Sequence, residues 1–165
     1  HDEERAWEAS FVELHGEPGF DLSTCELRAL AANSQGPLPE PIFAISLSER
    51  SIGPAGYHVV GHDELVPGVA ADEAVPGLSI NDPAGDYTDI AVVLYCGGEA
   101  LDAVCYRGGS LPVCEGSPAE DTGPRGFTLG QSIGRGFHVD TDRNGVDFLP
   151  QVEPSPWQRN YSEVW

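Results

Sequence analysis

The chain has 165 residues and a mass of 17.6 kDa, the span of one domain. Eight basic residues stand against 27 acidic ones, for a formal net charge of −19 and a pI near 4.2, and a field of that sign repels phosphate backbones and anionic membranes. Hydrophobic residues, at 40%, suffice for a packed core, and no run approaches the roughly 18 consecutive apolar residues of a spanning helix. The opening HDEERAWEAS admits only a short, charged helical turn. Beyond it, 20 glycines and 14 prolines punctuate the whole length and leave few windows long enough for a helix. Ser10–His15 alternates, with Phe11, Glu13 and His15 on one side and Val12 and Leu14 on the other. A turn at 16–19 leads to a strand from Cys25 to Leu30, with Cys25, Leu27 and Ala29 on one face. Ile42–Leu47 and Tyr57–Gly61 are the next strands, separated by a Gly-Pro turn in which Pro54 and Gly56 set the bend. Residues 62–77 read as an acidic loop. Asp89–Cys96, DIAVVLYC, is the most apolar strand, and Gly97-Gly98 turns it into Ala100–Tyr106, the strongest hairpin signal in the chain. A Gly/Pro/Ser-rich loop at 108–126, a strand near Thr128–Arg135, an acidic turn at 140–147 and a Pro-interrupted tail complete the series. Many short strands with turn chemistry between them predict an all-β sandwich or barrel in one domain over 1–165, with 1–9 as an N-terminal extension and 150–165 as a C-terminal tail.

The arginines are the only strong bases; lysine and methionine are both absent, which fits a biased composition or a saline setting. The four cysteines, Cys25, Cys96, Cys105 and Cys114, contain no C-x-x-C pair of the kind zinc sites use. Two disulfides in an oxidising compartment are expected, and four cysteines allow three pairings. No charged-then-apolar signal segment opens the chain.

Three segments carry a family resemblance: SFVELHGEPGFDLSTCELRAL at 10–30; ISLSERSIGPAGYHVVGH followed by DIAVVLYCGGEALDAVCYRG; and QSIGRGFHVDTDRNGVDFLPQVEPSPWQRN at 131–160. Together they resemble a lamin-tail domain, an immunoglobulin-like β-sandwich that also recurs in secreted bacterial proteins, and the resemblance covers about nine-tenths of the chain. It implies an immunoglobulin-like sandwich of lamin-tail type with long Gly/Pro-rich loops. The family places a tryptophan where Cys25 stands here. That departure implies a disulfide in place of aromatic volume, joining Cys25 to Cys96 on facing core strands and leaving Cys105–Cys114 as a loop clasp. The family also has an apolar strand upstream of FVEL, where this chain has only HDEERAWEAS. Either residues 1–9 cover the sheet edge or an extended segment of another chain adds to it.

The sharpest local motif is Asp140-Thr-Asp142-Arg-Asn144-Gly145-Val146-Asp147. Oxygen ligands at alternate positions with a glycine at the sixth match the first half of a calcium loop, and the expected set is Asp140, Asp142, Asn144, the Val146 carbonyl and Asp147, completed by water or Glu153. Gln151 at the twelfth position excludes an EF-hand, and an Asx-rich turn with solvated carboxylates explains the same letters. An N-terminal His1 can chelate copper through its amine and ring, with His15, His58, His62 or His138 as a second ligand. His58 and His62 fall on a strand and turn rather than a helix, so no zincin-type pair is expected. Gly130-Gln131-Ser132-Ile133-Gly134 has the letters of a nucleophile elbow without the strand-to-helix context. No phosphate-binding loop is present. Trp157, Tyr161 and Trp165, spaced four apart in the tail, are candidates for docking on a partner or on the chain's own sandwich.

The expectation is therefore a non-catalytic, secreted or cell-surface structural or adhesive module, a subunit of a larger assembly or a self-associating protein. A calcium-dependent module binding carbohydrate or matrix is the alternative, and a copper oxidase acting through His1 is a remote one.

Overall fold

The computed structural model describes residues 10–38, 40–62, 71–76, 78, 80, 86–119, 132–136, 140–151 and 155–158. Its elements are β1 (Phe11–His15), β2 (Cys25–Asn33), β3 (Gly36–Pro37), β4 (Phe43–Ser46), β5 (Tyr57–Gly61), β6 (Glu73–Ala74), β7 (Asp89–Cys96), β8 (Glu99–Arg107), β9 (Ser132–Arg135), a single helical turn α1 (Asn144–Asp147) and β10 (Phe148–Gln151). The chain is all-β and sandwich-like. A five-stranded sheet runs from β3 and β4, which share one flank of β2, through β7 to β8. A second sheet has the order β1-β5-β6, and β9 pairs with β10.

The apolar run 89–96 is central because it is buried on both faces. Ile90 and Val92 join Leu27, Ala29 and Tyr106 in the main core, where Val60 of β5 and the half-buried Val12 and Leu14 of β1 meet them. Ala91 and Val93 join Ala103, Cys105 and Leu111 in a second cluster on the opposite face. A strand covered on both sides needs no polar alternation, which is why DIAVVLYC reads as continuous hydrophobicity. Gly97 and Gly98 take φ values of 62° and 90°, so the hairpin turn between β7 and β8 demands the glycines that signal it.

The sequence reading departs from the structure in two places. The acidic loop contains β6, which runs parallel to β5 with Val60 opposite Glu73. The tail does not begin at residue 150: β10 passes through Pro150, opposite Ile133, in a two-stranded ribbon where a missing N–H costs little. Residues 1–9, 63–70 and 120–131 lie outside the described residues, and with them the N-terminal turn and the cover expected for the sheet edge.

Cys25–Cys96 and Cys105–Cys114 are both disulfides, 71 and nine residues apart. The first joins neighbouring strands of one sheet rather than strands facing each other across the core, because Cys25 and Cys96 are register partners on β2 and β7. Cys25 N–H donates to the Leu22 carbonyl at 2.8 Å and its carbonyl accepts from Leu47 N–H at 2.9 Å, so its backbone is turned away from β7. Pairs without mutual backbone bonds approach closest, and the Cα atoms here are 4.0 Å apart.

Loop length sets the expected cost of removing each link. Alanine at both Cys25 and Cys96 should lower stability by about 4 kcal/mol, and alanine at both Cys105 and Cys114 by about 2.5 kcal/mol. Guanidinium unfolding of the two double variants checks that order.

Candidate functional site

The loop at 140–147 folds around its own last carboxylate. Asp147 Oδ2 accepts the backbone N–H of Thr141 at 2.9 Å and of Arg143 at 3.2 Å, while Oδ1 accepts the Thr141 hydroxyl at 2.6 Å. Burial alone would raise the Asp147 pKa, but these hydrogen bonds and the nearby Arg135 charge outweigh it and hold the carboxyl below its ordinary range. Asp140 Oδ1 accepts the Asp142 N–H at 3.1 Å. Asp142, not Gly145, takes the left-handed bend, with φ 54°. Gly145 serves a different need. A Cβ there would lie 2.6 Å from Ser117 Oγ and 2.8 Å from the Pro118 carbonyl, so glycine permits the loop to press against residues 117–118.

Asn144 points inward and is fully buried. Its Oδ1 accepts the Cys105 N–H, and its Nδ2 donates to the Ala103 carbonyl at 3.0 Å and to Glu115 Oε2 at 3.1 Å. The backbone adds Asn144 N–H to Glu115 O at 2.9 Å and Gly145 N–H to Ser117 O at 2.8 Å. The Cys105–Cys114 bond holds the loop carrying Glu115 to the same place.

These contacts assemble a cluster that sequence spacing does not contain. Ligand atoms of Glu115, Asp140 and Asp142 lie within 4.8 Å of one another. Arg135 in β9 bridges Asp102 at 2.6 Å and Asp140 at 2.8 Å, and its guanidinium lies 4.8 Å from the Phe148 ring centroid. Burial raises the pKa of Asp102, with Arg135 opposing and Asp140 reinforcing the rise. Burial also raises that of Glu115, reinforced by the charges of Asp102, Asp140 and Asp142 and opposed by Arg135. Four carboxylates thus face one guanidinium, an excess of hard oxygen donors suited to a divalent cation.

Of the ligands expected from sequence, the structure brings Asp140 and Asp142 together and adds Glu115. The Asn144 and Asp147 side chains are committed to the protein interior, and Val146 exposes its side chain on the turn. Glu153 lies outside the described residues. No local spacing reveals Glu115 or Asp102; the one hint is that Glu115 follows Cys114, whose bond returns the chain to β8.

The other candidates separate. Ser132 opens β9 opposite Gln151, so it sits on a strand. His15 and His58 occupy opposite faces of the β1–β5 pair, His58 opposite the core-facing Leu14. His1 and His138 lie outside the described residues. Trp157 contacts its own chain, with its indole Nε1–H donating to Asp72 at 3.1 Å. Tyr161 and Trp165 lie outside the described residues. In comparisons with known proteins, no family model, curated protein or solved structure matches the chain.

Asn144 carries the geometry of the cluster. Asn144→Leu keeps similar volume but strands the Cys105 N–H and the Ala103 carbonyl in the interior. The expected loss is about 2–4 kcal/mol of unfolding free energy, measured by urea denaturation.

Proposed function

We propose that the chain is a non-catalytic, extracellular structural or adhesive module that works by contact. The observation carrying this reading is the pair of disulfides that staples the central sheet and one of its loops, since such bonds persist in oxidising compartments. The resemblance to secreted lamin-tail domains supports the same reading, and Phe20, Ile42, Leu101 and Val146 are exposed apolar side chains available for contact. Self-association or a protein partner is the expected mode of action. With Trp157 turned onto its own sheet, Tyr161 and Trp165 are the tail aromatics left for a partner. Sedimentation at rising concentration, with and without a tail ending at residue 158, tests the assembly arm. Concentration-dependent association lost on truncation is expected, and a strictly monomeric full chain at millimolar concentration would count against it.

A calcium-dependent binding module is the second reading, favoured by the convergence of Glu115, Asp140 and Asp142. Extracellular calcium sites bind at roughly 10⁻⁴–10⁻³ M, so about 10 mM calcium should raise the melting temperature by roughly 3–6 °C. Glu115→Gln and Asp142→Asn should each abolish that rise. Because burial and neighbouring charge raise the Glu115 pKa, protons compete with calcium for its carboxylate, and affinity should fall as pH drops. Calorimetric titration at two pH values measures both effects; no heat and no thermal shift would remove this reading.

A further inference from the structure

Trp157 binds the body of the protein through both of its N–H groups. Its backbone N–H donates to the Glu13 carboxylate of β1, and its indole donates to Asp72 Oδ2 at 3.1 Å, just ahead of β6. The same Asp72 oxygen accepts the Val59 N–H of β5 at 2.8 Å. Glu13 and Val59 are register partners, and since Val12, Leu14 and Val60 face the core, Glu13 and Val59 stand on the outer face of this sheet. Val59 is nonetheless fully buried there. Trp157 adopts φ 60°, a backbone state that a bulky residue keeps only where its surroundings hold it.

We propose that residues 155–158 form a pH-gated strap, in which Trp157 closes over the outer face of the β1–β5–β6 sheet while Glu13 holds a proton and lets go when Glu13 and Asp72 are both charged. Neutral Glu13 keeps a carbonyl oxygen for the Trp157 N–H. Burial lifts its pKa from 4.5 to about 7, the Trp157 N–H opposes the rise and the Asp72 charge adds to it. Release of the strap, in this proposal, uncovers Glu13 and returns it toward the ordinary carboxylate range. Docking is therefore strongest below about 4.5 and is lost as pH rises through about 7, a change of at most roughly 300-fold in the docking equilibrium.

Other groups share this face. From β1, His15 lies two residues on, and from β5, Tyr57 lies with its ring centroid 5.1 Å from that of His15, beside the uncharged Val59. Asp72 comes from the stretch before β6, and Trp157 and the uncharged Gln158 from the strap. Glu73 pairs with Arg50 at 3.0 Å.

Nitrogen-15 NMR of the full chain tests the strap, with the Trp157 indole resonance assigned by its loss in Trp157→Phe. The resonance should move from a protected to a solvent-exposed position with a midpoint near 7. Glu13→Gln should keep it protected from pH 5 to 9, and His15→Gln should leave the midpoint in place. An indole that ignores pH, or a titration that survives Glu13→Gln or vanishes with His15→Gln, would overturn the proposal. If Glu13→Gln does not fold, Asp72→Asn decides: without the neighbouring charge the indole should stay protected to higher pH, and an unmoved midpoint would sink the strap.

Discussion

The outer edge of β8 is where this fold is most exposed to failure, and one buried amide answers for it. Residues 103 and 105 turn their backbone groups away from β7, the state that invites another strand to pair. Asn144 takes the Cys105 N–H and the Ala103 carbonyl together, as a neighbouring strand would. Ala119 N–H supplies the Cys105 carbonyl at 2.6 Å, and Asp102 accepts the Ala103 N–H at 2.8 Å. The outward backbone groups of residues 103 and 105 are thereby satisfied by side chains and a loop, and among the described residues no further strand pairs with β8 there.

The acidic cluster is a by-product of that solution. Glu115 arrives because its side chain and carbonyl both bind Asn144, and Asp102 arrives because it caps its own neighbour. Both carboxylates are thereby placed beside Asp140, and Arg135 offsets part of their repulsion. Burial and mutual repulsion push two of the carboxyls upward, while Asp147, saturated with hydrogen bonds a few residues away, is pushed downward. Two environments side by side thus divide the carboxylates into one saturated by hydrogen bonds and others left in mutual repulsion.

Local chemistry was legible in the sequence wherever one short segment decides the outcome. The alternation of FVELH and the stretch at 57–61 map onto β1 and β5, and the glycine pair after Cys96 onto the turn between β7 and β8. What stayed hidden depends on contacts distant in the chain. The motif at 140–147 shows which oxygens alternate, but not that Asn144 faces the interior, because that follows from the unpaired edge of a strand some forty residues earlier. Glu115 sits in a loop without periodicity and is placed by a disulfide. β10 was masked by Pro150, tolerated because the ribbon it joins is only two strands wide. Which cysteines pair is a question of spatial proximity, and adjacency within one sheet could not be told from apposition across two.

The Cys25–Cys96 link also has a mechanical side. A chain pulled from its two ends transmits force through that covalent shortcut, so the residues between the two cysteines carry no tension. With Cys96 71 positions after Cys25, and an extended chain spanning about 3.4 Å per residue, roughly 240 Å of contour is withheld from stretching. Under load the stretch from β2 to β7 acts as a closed loop while β8 stays exposed to the pull, and reduction of a single sulfur–sulfur bond would turn that loop into an extensible tether.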